Sequence, residues 1–409
     1  MQRLLLLLTL PGLLPAGSLP EGWTRWAARD EIAPRTFVEG DWLGISGNSN
    51  AAVYGGWVRT VAVEAGRWYR LEALYRSEGV PYEQLQIVSR LDWVTAEGKR
   101  AGQPDYAWRT RAEGDWRRVT LEAPAPPKAT AVKIQLYLAN APQGTVWWNN
   151  VSLSPIAAPS PRVVRVAAIN LRPRDTGSAE ASVAKFIEAV EAAVPPQTDV
   201  ILLPEGITVV GTGKAYAEVA ETVPGPTTGR LGELARRKKA YIAAGIYERE
   251  GVAIYNTAVL IDRAGKVVGK YRKVYLPREE IEGGLTPGND FPVFKTDFGA
   301  VGMMICWDLQ YADPARALAL RGAELLLLPI WGGNLALGKA RAIENHVFLA
   351  TSGYDYPTYL LDPDGEIVAQ AQEQGQAAVA TLDLNRRYVD PWLGEMRGRF
   401  MKEMRVDLR

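Results

Sequence analysis

The sequence predicts an α/β layered domain placed behind an all-β module. Three observations lead to this. Tryptophan is unevenly spread: Trp23, Trp26, Trp42, Trp57, Trp68, Trp93, Trp108, Trp116, Trp147 and Trp148 precede residue 150, and only Trp307, Trp331 and Trp392 follow it. Short strand-like runs fill residues 19–155, whereas strand and helix patterns alternate over 162–385. Between them, Pro155, Pro159 and Pro161 mark a stiff linker, placed at 156–161. A chain of 409 residues is also long for one domain.

Residues 1–18 read as an export signal. Arg3 gives a positive start, Leu4 to Leu14 an apolar run, and Ala16 and Ser18 a small-residue cleavage site. The run is short for a bilayer core of about 30 Å. The expected location is therefore periplasmic or extracellular. In the all-β part, runs such as 56–63, 68–75, 86–93, 116–121, 131–138 and 146–153 alternate apolar with polar residues and end at Gly or Pro turns. That spacing predicts a β-sandwich.

From 163 the pattern changes. Strands are expected at 163–169, 199–203, 240–246, 300–305, 323–328 and 347–352, with a hairpin joining 256–262 to 266–270. Helices are expected at 179–194, 229–239, 314–321 and 337–345, the first presenting Val183, Phe186, Ile187 and Val190 on one face. The tail 386–409 stands apart from this alternation.

Composition closes several chemical routes. One cysteine, Cys306, cannot form an intrachain disulfide, and with one histidine, His346, the chain lacks the soft ligands of a zinc site. No metal or cofactor is expected. A net charge of +1, with no run of five like charges, gives no footprint for nucleic acid.

Three polar residues end apolar strand patterns: Glu205 after Leu203-Pro204, Lys273 at the end of a hairpin arm, and Cys306 after Gly302-Met-Met-Ile305. Strand ends in α/β domains gather catalytic groups. Alone, each has a structural explanation: a small core thiol, a helix-capping acid, a solvated lysine. Together they resemble the nitrilase superfamily of carbon–nitrogen hydrolases. The matching stretches are Leu203-Pro-Glu205, Lys270-Tyr-Arg-Lys273-Val-Tyr-Leu-Pro277, Thr286-Pro-Gly288, Gly302-Met-Met-Ile-Cys306-Trp-Asp308 and Ala340-Arg-Ala-Ile-Glu-Asn345. The resemblance implies an αββα sandwich, a homodimer and a small amide or nitrile substrate. It implies a catalytic triad of Glu205 as base, Lys273 as charge stabiliser and Cys306 as nucleophile, with the Trp307 N–H beside them. A further family glutamate falls on Glu280 or Glu282, and its distance from Pro287-Gly288 favours Glu282. Tyr275 stands where many relatives have histidine. Leu309, after Asp308, departs from the Cys-Trp-Glu-His pattern of nitrilases and favours an amide, cleaved by hydrolysis or by acyl transfer.

Two other readings remain open. Cys306 could pair with His346, although that histidine ends the 340–345 helix, where packing or solvent is its expected fate. Alternatively, the chain could be a surface-binding protein with an inactive hydrolase-like domain. Residues 19–155 resemble carbohydrate-binding, galactose-binding-like sandwiches of jelly-roll type, through Gly56-Trp57, Gly66-Arg-Trp-Tyr69, Gly114-Asp-Trp116 and Val146-Trp-Trp-Asn-Asn-Val151. The resemblance implies a glycan as second ligand. Asn149 and Asn150 stand where relatives often carry acids, which argues against a calcium site. Most of these indoles are expected in the core.

Overall fold

The computed structural model of the chain describes residues 19–354 and 358–407. The expected export signal, residues 1–18, lies outside the described residues. The chain forms two compact units. One joins the residues up to Pro159 with those from Arg387 onward, and the other is Ser160–Arg386.

The first unit is a sandwich of two antiparallel sheets. One orders strands Trp23–Ala27, Tyr54–Ala62, Ala131–Ala139, Ile87–Val94 and Asp105–Tyr106. The other orders Arg35–Glu39, Trp42–Ser46, Thr145–Ile156, Trp68–Glu78, Trp116–Pro124 and Arg109–Glu113. Alternate residues of both sheets fill one core, in which Trp57, Trp93 and Trp148 are wholly buried. Two of these indoles satisfy their N–H groups inside. Trp57 donates to the Gly44 carbonyl at 3.0 Å and Trp93 to Asp105 Oδ2 at 2.7 Å.

The tail returns to this sandwich. Glu395 caps helix Met396–Glu403 by accepting from the Arg397 and Gly398 amides. Lys402 then donates to the Ile87 carbonyl at 2.7 Å, and Gln84 donates to the Met401 carbonyl at 2.7 Å. Arg387 pairs with buried Asp105.

The second unit stacks helices, two sheets and helices. One six-stranded sheet runs Val267–Arg272, Ala253–Ile261, Tyr241–Glu250, Val200–Leu202, Val163–Asn170, Gln376–Asp383. The other runs Val293–Lys295, Ala300–Met303, Leu325–Pro329, Phe348–Ser352, Thr358–Leu361, Ile367–Ala371. The central strands pair in parallel and the outer ones antiparallel. Parallel strands covered on both faces must be continuously apolar, and Leu325–Pro329 is buried throughout. Helices Ala179–Ala193 and Pro226–Lys238 pack on the first sheet, and Asp313–Leu320 and Leu335–Asn345 on the second. Ser178 caps the first helix through the Ala181 amide, and Val183, Phe186 and Val190 face inward. The sequence pattern missed the strands between 358 and 383. Their polar interruptions, such as Asp362 to Glu366, look like loop and form a tight turn instead.

Burial pushes the Asp105 carboxyl up, against the pull of Arg387. Removing the arginine leaves a buried charge without its partner. Arg387→Ala is expected to lower unfolding stability by about 3 kcal/mol at pH 7. A carboxyl raised in the fold costs most stability above its unfolded value, so the loss should shrink toward pH 4. Denaturant titrations at the two pH values check this.

Candidate active site

Glu205 leaves the end of strand Val200–Leu202, where the neighbouring backbone presses close. A side chain at Gly245 would put its Cβ 2.6 Å from the Glu205 Cα, so only glycine fits. The Gly245 amide donates to the Pro204 carbonyl at 3.0 Å, and the Tyr354 hydroxyl donates to the Glu205 carbonyl. The backbone at Glu205 is held from two sides, and its side chain is buried.

Lys273 follows strand Val267–Arg272. Its amide donates to the Asn256 carbonyl at 2.8 Å. That strand is anchored by buried Glu248, which accepts from Lys270 at 2.5 Å, Arg272 at 2.8 and 2.9 Å, and Thr257 at 2.9 Å. Burial alone would raise the Glu248 carboxyl, but these donors outweigh it and hold it at about 2.

The Lys273 ammonium donates to Glu205 Oε1 and Glu280 Oε1, both at 2.9 Å. Asn256 Nδ2 donates to the same two oxygens at 2.7 and 2.9 Å. Two donors are therefore shared by two acceptors, and all four side chains are buried. Burial works against the Lys273 charge, yet Glu205, Cys306 and Glu280 outweigh it and hold the ammonium above its ordinary range. The second oxygens of Glu205 and Glu280 are buried and make no hydrogen bond among the described residues.

Spacing along the loop favoured Glu282, and the structure corrects this. Helix Arg278–Glu282 turns Glu280 inward. Residues two apart point away from each other, so the Glu282 side chain is 68% exposed and its nearest cation is Arg278 at 3.8 Å.

Cys306 opens a 3₁₀ turn, Cys306–Gln310, beyond strand Ala300–Met303. Its φ of 42° is left-handed, a conformation a non-glycine residue keeps only when its surroundings enforce it. Asp308 supplies that enforcement. Its carboxylate accepts from the Tyr271 hydroxyl at 2.7 Å, the Ile305 amide at 2.9 Å and the Tyr275 amide at 3.0 Å, tying the cysteine turn to the lysine loop. Burial nevertheless pushes the Asp308 carboxyl up to about 6. Buried Arg341 grips the far end of the turn through the Leu309 carbonyl at 3.0 Å.

The sulfur lies 3.8 Å from the Gly332 carbonyl oxygen. Burial, then the negative charge of Glu205, push the thiol up to about 12, while Lys273 pulls the other way. Trp307 is partly exposed, and its amide sits in the first turn, where helical N–H groups lack internal partners. His346 ends helix Leu335–Asn345 as a left-handed cap. Tyr275 stacks on Tyr311 at 4.1 Å.

Glu205, Lys273, Glu280 and Cys306 thus form one electrostatic cluster, and Glu282 lies outside it. The sequence reading missed Asn256, whose signal was a polar residue inside an apolar strand. It also missed the fastening role of Asp308.

A buried acid–amine pair with a cysteine in its field lies at the strand ends of this two-sheet α/β unit. Residues 165–392 match the family described as carbon-nitrogen hydrolase. The chain belongs to that family and is an enzyme acting on C–N bonds. It is similar to the omega-amidase NIT2 of Homo sapiens, 29% identical over 232 residues, covering 50% of this chain and 84% of the relative. A nitrilase of Pyrococcus abyssi is 31% identical over 246 residues, covering 54% of this chain and 90% of the relative. Among solved structures, a cysteine-to-alanine mutant of the Nesterenkonia AN1 amidase shares the fold, with a TM-score of 0.51 at 22% identity, over 62% of this chain and 98% of that one.

Asn256→Ala would leave Lys273 alone to orient both carboxylates. It is expected to lower kcat by at least about ten-fold with little change in KM, because misplaced catalytic groups cost rate more than binding. Steady-state kinetics on a responsive amide, with a thermal melt to confirm folding, check this.

Proposed function

We propose that the chain is an exported amidase-type hydrolase that works through Glu205, Lys273 and Cys306. The observation that carries this reading is the Lys273 ammonium, held 2.9 Å from both Glu205 and Glu280 and acting electrostatically on the Cys306 sulfur.

A thiol pushed up to about 12 is not a nucleophile at neutral pH without a base beside it. The second oxygen of Glu205 has no other hydrogen-bond duty and takes the proton as sulfur bonds to the carbonyl carbon. The carbonyl π electrons move onto oxygen. Two of the three Lys273 protons are committed to Glu205 and Glu280, which leaves the third for this oxyanion, joined by the Trp307 amide. Glu205 returns its proton to the departing amine as the C–N bond breaks. It then deprotonates water, which attacks the thioester, and the acid leaves as the thiol is restored. Glu280 keeps the ammonium in place and offers its free oxygen to the substrate nitrogen.

The relatives named omega-amidase and the Asp308-Leu309 pair favour an amide substrate over a nitrile. Arrival of an amine in place of water would turn the same thioester to acyl transfer. The N-terminal pattern supports export to the periplasm or cell exterior. The hydrolase unit would pair as a homodimer, as the resemblance implies. The N-terminal sandwich, of jelly-roll type, would hold the enzyme on a glycan.

Cys306→Ala and Lys273→Ala are each expected to reduce amide hydrolysis by about 10³-fold or more without unfolding. His346→Gln should leave the rate nearly unchanged. Intact mass spectrometry after mixing with an amide and nitrile panel should show one acyl adduct, absent in Cys306→Ala. Full activity of Cys306→Ala would end this reading.

A further inference from the structure

The outer face of the six-stranded sheet in the first unit carries an arginine unlike its neighbours. Along strand Trp68–Glu78, Leu71, Ala73 and Tyr75 enter the core, so Arg70 and Arg76 face outward. On strand Trp116–Pro124, Trp116 and Arg118 face outward in the same way. Arg70 is paired with Glu122 at 2.6 Å, and Arg118 with Glu113 at 2.8 Å. Arg76 has no ion pair and donates no hydrogen bond among the described residues, and its Nε is buried without a partner.

Aromatic rings surround Arg76 instead of acids. Its guanidinium carbon lies 4.5 Å from the Trp147 ring centroid, 4.9 Å from Trp42 and 5.7 Å from Trp116. The register puts all but Trp42 in a line across the sheet, and Trp42 lies two residues along its strand from that line. Phe37 pairs with Gly44, Gly44 with Trp147, and Trp147 with Arg76, while Trp116 follows on the next strand. Gly44 leaves the room that the Phe37 ring fills. Trp147 is fixed by its bond to Glu39 at 2.9 Å. Trp42 and Trp116 are partly exposed, and their indole N–H groups make no hydrogen bond among the described residues.

We propose that this row binds an acidic oligosaccharide, one built of uronate units. This rests on the reading above that the sandwich holds a glycan, and it names the site and the chemical class. Indole faces match the apolar C–H faces of pyranose rings, and the free indole N–H groups can donate to hydroxyls. A guanidinium fork matches a carboxylate in two parallel bonds. Stacking on three rings holds that fork in place before the ligand arrives. The site lies on a sheet face where Trp42, Arg76 and Trp116 are partly exposed, which suits a polymer laid across it rather than an enclosed metabolite.

The test is calorimetric titration of the full chain with oligogalacturonate, its methyl ester, oligoglucuronate and oligomannuronate. At least one uronate oligomer should bind, the methyl ester at least about ten-fold more weakly than its free acid. Arg76→Gln should lose at least about ten-fold in affinity for the acid form, and Trp116→Ala should weaken both forms. Amide hydrolysis by Arg76→Gln should match the wild type, and its melt should remain a cooperative transition, lowered by at most the loss of the cation–π contacts. Cys306→Ala should bind the oligosaccharide normally, so failure of the hydrolase reading and failure of this one are read separately. No binding to any uronate oligomer, or unchanged affinity in Arg76→Gln, would overturn the proposal and leave the cluster as a cation–π staple of the sheet.

Discussion

One buried ammonium organises the hydrolase unit. Lys273 sits between two carboxylates where water cannot screen any of them. An unpaired charge there would be strongly disfavoured, so lysine and glutamates each require the others. Asn256 adds a second donor to the same two oxygens, which fixes the carboxylate planes as well as their charge. Burial, then the negative charge of Glu205, keep the neighbouring thiol protonated at rest against the pull of Lys273. On the proposed mechanism the site is therefore inert until a substrate lets the proton move to Glu205.

The scaffold supplies this cluster from distant segments, each fastened separately. Glu248 braces the strand that precedes Lys273. Gly245 allows close packing against Glu205. Asp308 joins the cysteine turn to the lysine loop through Tyr271 and the Tyr275 amide. The left-handed backbone at Cys306 persists because both sides of its turn are tied down.

Much of this was legible in the sequence, and the exceptions have physical causes. Strand 325–329 is apolar throughout and strand 163–170 carries the apolar run 166–169, because helices and a second sheet cover them, so they stood out. Between 358 and 383, strand Thr358–Leu361 is buried but only four residues long and ends at a turn, and the two strands after it are partly exposed, so they carry no such signal. Glu205, Lys273 and Cys306 end apolar runs and could be read. Choosing between Glu280 and Glu282 required the direction of a short helix, which residue counting cannot supply. The many N-terminal tryptophans could not be sorted by pattern either. Trp57 and Trp148 lie in the core, whereas Trp42 and Trp116 remain partly exposed on the outer face.

Cys306 is the sole cysteine, so its ionisation can be followed without interference from another thiol. Thiolate absorbance in the ultraviolet, taken as a difference from Cys306→Ala across pH 6 to 10, measures it directly. With the thiol pushed up to about 12, no thiolate step should appear in that range. A one-proton step near the ordinary cysteine value of about 8.5 would contradict the account, because the sulfur would then lie outside the field of the buried carboxylates.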